Sequence, residues 1–273
     1  MIEESVNPQS AIRNPQFLLG WFSTGRDEAA RALLLAAHRN MESGLIPAGI
    51  EYLFCNRAPG ENPETDRFLS LVRELGIEAV TLSSRDFLPD LRKRSTQEWR
   101  SAYHQAVMDR LGPFKNDVIM LAGYMLIVSP EMCRRYGIIN LHPAAPGGPA
   151  GTWQEVIWQL IEKKAAETGI MMHVVTEILD EGPPITYCTF PIRGRGFDEL
   201  WDELEEKLNT RSLQQIMAEE GASNKLFQKI REEGVRRELP LIVMTLKTLA
   251  EKRPRIRELK ASEAVCLATD LRE

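Results

Sequence analysis

Two polar side chains end a predicted buried strand near the middle of the chain. Asn140 and His142 are two residues apart within the stretch of residues 139–151, and on a strand that spacing places both on one face. The rest of the stretch is rich in Pro, Gly and Ala, so it is neither a helix nor a central strand but a shaped loop. A carboxamide and an imidazole at a strand end beside a stiff loop indicate a site rather than a core.

The same predicted edge of the sheet carries a carboxylate, Asp180, with Glu177 and Glu181 near it in sequence. An amide N–H can stabilise a developing oxyanion, and an imidazole can hold or give a proton near neutral pH. An aspartate can orient that imidazole and favour its charged form. No Ser or Cys stands beside His142, so a covalent acyl-enzyme has no evident nucleophile. The set favours direct acyl transfer to an amine or to water.

Structural interpretations compete with the catalytic one. A lone histidine at a strand end is more often a structural hydrogen-bonding group than a catalyst, and the turn that begins at Asp180 is by default solvated. His38 and His104 fall in predicted helices, where we expect surface or boundary positions.

Composition excludes several classes of protein. The 273 residues carry a net charge of −5, with 43% hydrophobic and 27% charged residues, which is ordinary for a globular chain and gives no basic field for nucleic acid. The start, Met-Ile-Glu-Glu, lacks the features of a signal peptide. No apolar run approaches the roughly 20 residues that span a bilayer. The sequence therefore predicts a cytoplasmic protein with neither nucleic acid nor membrane as partner.

Two other patterns predict no site. The four cysteines are scattered without a Cys-x-x-Cys pair, so we expect reduced thiols and no metal. The basic run of residues 252–257 is expected to be a solvated face.

Apolar runs of strand length alternate with segments of helical period through most of the chain. Such alternation predicts an α/β fold, a mostly parallel twisted sheet flanked by helices in three layers, Rossmann-like. The predicted strands are residues 17–22, 50–55, 79–82, 117–121, 137–141, 169–178 and 185–192. The predicted helices are residues 28–41, 61–75, 99–111, 130–136 and 152–164. Ligands of such sheets bind outside the carboxyl ends of the strands.

The predicted domain organisation follows from a change of character near residue 196. Residues 1–195 form the catalytic domain, with a Rossmann-like half over about 17–136 and a second half over about 137–195. Residues 196–273 show helical spacing only and form a helical extension.

The first predicted strand is followed by Ser-Thr-Gly at residues 23–25. It is a plausible anion site at a helix N-terminus. It lacks Gly-x-Gly-x-x-Gly and a Walker pattern, so neither a dinucleotide nor an NTP fingerprint is present.

Four blocks in order carry a family resemblance: residues 121–130, 139–143, 168–173 and 180–185. The chain resembles the formyltransferases that use 10-formyltetrahydrofolate, in particular the purine-pathway branch, over roughly residues 17–192. The resemblance implies a formyltransferase fold, a folate co-substrate and an acceptor that is a small, phosphorylated ribosyl amine.

The resemblance also implies residue roles. Asn140 and His142 would stabilise the oxyanion, Asp180 would pair with His142 and move protons through water, and His173 would stand behind them. The folate would lie against the segments that hold Tyr124, Met125, Leu126, Val128, Glu177 and Leu179. The acceptor would bind the first loop, at Thr24, Gly25, Arg26 and Asp27.

Departures from the family pattern leave alternatives open. Arg26 could bind a phosphate, whereas Asp27 would repel it unless it caps the following helix. The alternatives are hydrolysis of 10-formyltetrahydrofolate, formylation of another amine such as a nucleotide-linked amino sugar, and a non-catalytic binding protein. The helical extension differs from the β-barrel of the tRNA-formylating relatives, and it could pair two chains as a homodimer or cover the site.

Overall fold

The computed structural model describes residues 17–194 and 196–259. Its strands are β1 (Leu18–Ser23), β2 (Gly49–Cys55), β3 (Ala79–Thr81), β4 (Val118–Leu121), β5 (Ile138–His142), β6 (Glu167–Val174) and β7 (Pro184–Pro191). Its α-helices are α1 (Glu28–Glu42), α2 (Pro63–Glu74), α3 (Pro89–Arg94), α4 (Thr96–Leu111), α5 (Pro130–Arg135), α6 (Trp153–Glu162), α7 (Asp198–Leu208), α8 (Leu213–Glu220) and α9 (Lys225–Lys252). Within the described residues no helix is long and apolar enough to cross a membrane.

The chain divides into two compact units. The first comprises the described residues up to Asn140, Val174–Ile178 and residues 243–259; the second comprises Leu141–His173 and residues 179–242 without residue 195. The chain passes between the units within strand β5, at the end of β6, between Ile178 and Leu179, and again within helix α9. The sequence-based boundary near residue 196 stays a prediction.

The first unit is built on a parallel sheet. Strand β1 pairs with β2 and β4, β2 pairs with β3, and β4 pairs with β5, all in parallel. All four residues of β4 are buried, as expected of a strand covered on both faces. An aromatic cluster packs on this sheet and includes Phe22, Tyr52, Phe54, Trp99, Tyr103 and Tyr124. The parallel strands bring their carboxyl ends, and the loops after them, to one edge.

The second unit consists of a hairpin and helices. Strands β6 and β7 pair antiparallel, with Gly169 opposite Thr189. A reciprocal capping box between Thr152 and Glu155 begins α6, which satisfies two of its free N–H groups. Its core joins side chains of α6, β7 and the later helices, among them Trp158, Phe190, Trp201, Ile216 and Phe227.

The α/β fold with mostly parallel strands is confirmed, because four of the five pairings within the units are parallel. The helical character beyond residue 196 is confirmed as far as residue 259, and residues 260–273 lie outside the described part. The prediction of one strand over 169–178 is wrong at its end, since β6 stops at Val174. Helix α3 was not predicted.

Candidate active site

Three of the predicted site residues meet in the second unit, at the end of β5 and β6. The Asp180 carboxylate lies between two imidazoles: Oδ2 is 3.6 Å from His142 Nδ1 and Oδ1 is 3.8 Å from His173 Nε2. The side chains of His142, His173 and Asp180 are only 3%, 2% and 9% exposed. Both distances exceed the usual 2.7–3.2 Å of a hydrogen bond, and each contact becomes an ion pair when the imidazole is protonated. One carboxylate thus lies close to two imidazoles in a place that is almost fully shielded from solvent.

The central loop contacts both members of the His142–Asp180 pair through its backbone. His142 Nε2 lies 2.8 Å from the Pro149 carbonyl oxygen, and the Gly151 N–H donates to Asp180 Oδ2 at 3.2 Å. Because a carbonyl only accepts, Nε2 carries the hydrogen in this contact. Both ring nitrogens of His142 therefore face acceptors. These contacts leave no signal in the sequence, because each joins a side chain to a main-chain atom that any residue type could supply.

Asp180 adopts a backbone conformation that few residue types favour. Its φ is +57°, in the left-handed region where aspartate and asparagine are enriched among residues other than glycine. A residue in this region at a polar, buried position is typical of functional sites.

Asn140 lies two residues before His142 on β5, so the two side chains share a face of the strand. Asn140 is half-buried. Both residues therefore lie at a strand end, as the sequence predicted.

The first loop, residues 23–27, lies at the carboxyl end of β1 in the first unit. Thr24 joins it to the turn after β4: its N–H donates to the Gly123 carbonyl at 3.1 Å, and its Oγ1 accepts from the Met125 N–H at 2.9 Å. Gly25 has a φ of +59°, and a Cβ there would lie 2.7 Å from the ring of Phe68. The loop is thus fixed by packing and by hydrogen bonds to its neighbour.

The two charged residues of this loop act on each other and on helix α1. Asp27 Oδ1 accepts from the Ala30 N–H at 3.1 Å, so Asp27 is the N-cap of α1. Its Oδ2 lies 3.3 Å from Arg26 Nε, and Arg26 Nη1 donates to Met125 Sδ at 3.4 Å. The aspartate is therefore turned to the helix and the arginine, while about half of the Arg26 side chain stays exposed.

The segments expected to hold folate differ in how much side chain they expose. Tyr124 and Val128 are buried, and Leu126 packs against the aromatic cluster. Met125 is 52% exposed and Leu179 is 49% exposed, as are large parts of Ile127 and Ile178. Glu177 pairs with Arg134 of α5 at 2.6 Å. These two segments thus hold four of the ten exposed large hydrophobic side chains among the described residues.

His104 of helix α4 lies in the core and not at the surface. It is fully buried, with Nδ1 3.0 Å from the Arg100 carbonyl and Nε2 3.2 Å from the Tyr124 hydroxyl. Burial lowers the pKa of His104 to about 4, so the ring is neutral at pH 7. Nδ1 then donates to the carbonyl, and Tyr124 donates its hydroxyl hydrogen to Nε2. The expectation of a surface or boundary position was wrong because the aromatic core continues onto this face of α4.

One buried polar atom near the carboxyl end of β2 lacks a hydrogen-bond partner among the described residues. Asn56 follows β2 and donates to Ser84 Oγ at 3.1 Å, while its Oδ1 has no partner among the described residues. The described residues contain no group of three His, Cys, Asp or Glu side chains that could hold a metal.

The sequence of the chain is similar to those of known formyl transferases. Residues 75–217, just over half of the chain, match the family model described as "Formyl transferase". A phosphoribosylglycinamide formyltransferase of Haemophilus influenzae is 35% identical over 173 residues, which span 62% of this chain and 70% of that protein. One of Schizosaccharomyces pombe is 30% identical over 137 residues, 48% of this chain and 65% of that protein. The chain therefore spans about two thirds of these relatives.

A solved structure confirms the fold. Glycinamide ribonucleotide transformylase 1 from Symbiobacterium toebii superposes with a TM-score of 0.60 at 20% identity, over 87% of this chain and 89% of that one. Together with the match over residues 75–217, these similarities show that the chain belongs to the formyl transferase family.

Proposed function

We propose that this protein transfers a formyl group from 10-formyltetrahydrofolate to a small phosphorylated amine, glycinamide ribonucleotide or a related ribosyl amine. The observation that carries the proposal is the buried Asp180 carboxylate within 3.6–3.8 Å of His142 and His173. That arrangement, in a chain of this family, suits acyl transfer without a covalent enzyme intermediate. A cytoplasmic setting belongs to the same proposal.

The described residues suit a folate molecule, because the faces of its flat aromatic rings pack against apolar side chains. Four exposed apolar side chains lie on the two segments expected to hold it: Met125, Ile127, Ile178 and Leu179. Solvent-exposed apolar side chains grouped in short segments often mark a ligand or interaction surface. Backbone groups of the same segments would position the ring, and the bound molecule supplies the formyl carbon.

The reaction makes one carbon–nitrogen bond and breaks another. The acceptor amine attacks the formyl carbon, and the oxygen of that carbon gains negative charge. The Asn140 amide N–H and the His142 N–H would donate to this oxygen, which is the type of stabilisation that contributes most to such reactions. In this structure the His142 Nε2–H donates to the Pro149 carbonyl. In the proposed reaction that hydrogen bond breaks, and the same N–H donates to the formyl oxygen.

Proton transfer completes the exchange. The amine loses one proton on attack, and the departing nitrogen of the folate gains one when the second bond breaks. The carboxylate of Asp180, close to both imidazoles, stabilises a transient positive charge on His142 and passes the proton through water. General acid–base catalysis of this kind contributes about 10²–10⁴-fold. No metal takes part in the proposed steps.

The acceptor is proposed to bind through its phosphate at residues 23–27. Asp27 is engaged as a helix cap and by Arg26, which reduces its repulsion of an anion. The backbone N–H groups that begin α1, together with the Arg26 guanidinium, would bind the phosphate.

The test is a transfer assay with 10-formyltetrahydrofolate and a panel of amines. Tetrahydrofolate and formate are quantified in parallel, with glycinamide ribonucleotide, the dephosphorylated glycinamide riboside, and no amine. We expect tetrahydrofolate to form without formate, and only with the phosphorylated amine. Formate release that does not depend on the amine would identify a hydrolase. The absence of any turnover, both with the amines and with water alone, would identify a non-catalytic binding protein.

A further inference from the structure

The basic run at residues 252–257, expected from the sequence to be a solvated face, lines a cleft in the first unit. Arg253, Arg255 and Arg257 lie along one side of a cavity of about 700 Å³. Phe17, Asp117 and Gly137 line it as well, and each directly precedes, in sequence, the start of β1, β4 or β5. The cleft therefore lies at the amino ends of the parallel strands, at the opposite edge of the sheet from the loop of residues 23–27.

The segment that carries these arginines is held in place by packing. Ile256 is 2% exposed, and a Cβ added at Gly137 would lie 2.8 Å from the Ile256 Cβ. Arg257 Nη1 donates to the Arg135 carbonyl at 2.9 Å. The absence of a side chain at Gly137 is thus what lets the segment lie against the sheet, and the arginines are presented from a fixed backbone.

The charges around the cleft favour an anion. Four arginines line it, Arg135 in addition to the three already named, against two carboxylates, Asp117 and Glu258. Asp117 already accepts a hydrogen bond from the Leu18 N–H at 2.7 Å. Glu258 Oε1 lies 3.4 Å from Arg255 Nη1, so both carboxylates of the cleft are engaged and the four arginines still leave an excess of positive charge. This local positive excess stands in a chain whose net charge is −5.

The cleft also offers aromatic surface. Phe114 and Tyr136 are half-buried lining residues, and the Arg135 guanidinium lies 5.6 Å from the centre of the Tyr136 ring. Aromatic rings and arginine planes together stack on flat, ring-shaped ligands. A volume of 700 Å³ lies within the range of about 300–1,000 Å³ that small-molecule sites have.

We propose that this cleft is a second ligand site, which binds a small phosphorylated molecule with an aromatic ring, of the nucleotide class. The arginines bind the phosphates as bidentate donors, and Phe114 and Tyr136 contact the ring. The site is separate from the residues assigned to formyl transfer, so the inference does not depend on the proposed function.

Calorimetric titration of the full chain tests the site, with inorganic triphosphate and ATP as probes. The cleft variant is Arg135→Gln with Arg255→Gln. Its control is Arg73→Gln with Arg94→Gln, which removes the same charge from two exposed arginines at the ends of α2 and α3. A third protein, Arg26→Gln, reports on binding of phosphate at the first loop. Circular dichroism checks that each variant folds, and the single variant Arg255→Gln, at an 82% exposed side chain, serves if the double variant does not.

We expect one site that binds both probes, with ATP bound more tightly because of its ring. The cleft variant should bind at least ~10-fold more weakly, since each charge-assisted hydrogen bond contributes strongly, while the control and Arg26→Gln change affinity less than about twofold. Equal losses in the cleft and control variants, or loss only in Arg26→Gln, would overturn the proposal. The absence of binding at a probe concentration of about 10 mM, beyond the range of specific affinities, would also overturn the proposal. Equal affinity for triphosphate and ATP would overturn the proposed contact of Phe114 and Tyr136 with a ring.

Discussion

The Nδ1 atom of His142 lies 3.6 Å from Oδ2 of Asp180, and both side chains are more than nine-tenths buried. In water such a pair would contribute little, but burial strengthens the attraction between an imidazolium and a carboxylate. The pair therefore suits a reaction in which the imidazole gains positive charge for part of the cycle.

Asp180→Asn should fold normally and lose about 10²–10⁴-fold in kcat for formyl transfer, because the amide cannot stabilise a charged imidazole. Steady-state kinetics with the acceptor established by the panel measures the loss. Asp202→Asn, an exposed position on α7, is the matched control and should keep full activity. Near-normal turnover by Asp180→Asn would remove the carboxylate from the mechanism.

The two roles of Asp27 can be separated with a pair of variants. Asp27→Asn keeps the oxygen that caps α1 and removes a negative charge, so stability should change by less than about 0.5 kcal/mol. Its KM for a phosphorylated acceptor should fall, since the anion is no longer repelled. Asp27→Ala removes the cap and should cost about 1 kcal/mol. Urea unfolding and acceptor titrations provide both readouts, and an unchanged KM in Asp27→Asn would place the phosphate elsewhere.

The buried, neutral His104 should make the free energy of unfolding depend on pH. Its pKa in the folded protein, about 4, is below the ordinary value near 6.5, so the unfolded chain binds more protons between these values. The stability associated with a neutral His104 is fully present above pH 6.5 and declines as the pH falls towards 4. At pH 5 the loss should be about 2 kcal/mol by linkage.

Urea unfolding at pH 7.5 and pH 5 measures this effect against a variant that does not titrate. His104→Gln is less stable at both values of pH, because it loses ring contacts. Its decline between the two should be smaller than that of the natural protein by the amount given above. Equal declines would mean that His104 is protonated in the folded state as readily as in the unfolded chain.

A substitution at Gly169 tests how closely β6 and β7 approach each other. A Cβ at this position would lie 2.2 Å from the Cys188 carbonyl oxygen and 3.1 Å from the Ala145 Cβ. Because the first of these is a backbone atom that cannot move aside alone, Gly169→Ala should destabilise the protein by about 1–3 kcal/mol. Gly234→Ala in α9, where a Cβ meets nothing within 4 Å, should stabilise it by about 0.5–1 kcal/mol. Midpoints of urea unfolding compare the two, and a neutral Gly169→Ala would show that the hairpin can open.

The sequence predicted those parts of the molecule that depend on patterns along the chain. Alternating apolar periods placed β1, β4 and β5, and the spacing of Asn140 and His142 placed two polar groups at a strand end. The link to Asp180 came from the resemblance as much as from spacing, because a residue in a turn gives no periodic signal. Contacts through the main chain, such as Pro149 with His142, could not be predicted, since any residue type supplies a carbonyl.

Other features depended on tertiary packing. His104 is neutral and buried because Tyr124, from the turn after β4, packs against it and hydrogen-bonds to it, which no local pattern of α4 expresses. The arginines of residues 253–257 line a cleft because Ile256 lies against a glycine more than a hundred positions earlier. His104 was expected at a surface or boundary position and is buried, whereas the arginines are exposed as expected and only Ile256 between them is buried.

The left-handed backbone of Asp180 restricts which residue types can occupy the position during evolution. Glycine, asparagine and aspartate adopt this conformation most readily, and among them aspartate is the one that carries a charge. Glutamate, otherwise the conservative exchange, would bear both a strained main chain and a carboxylate displaced by one methylene group. A family member that retains the carboxylate chemistry should therefore retain aspartate, and a lineage that loses it should drift first to asparagine or glycine.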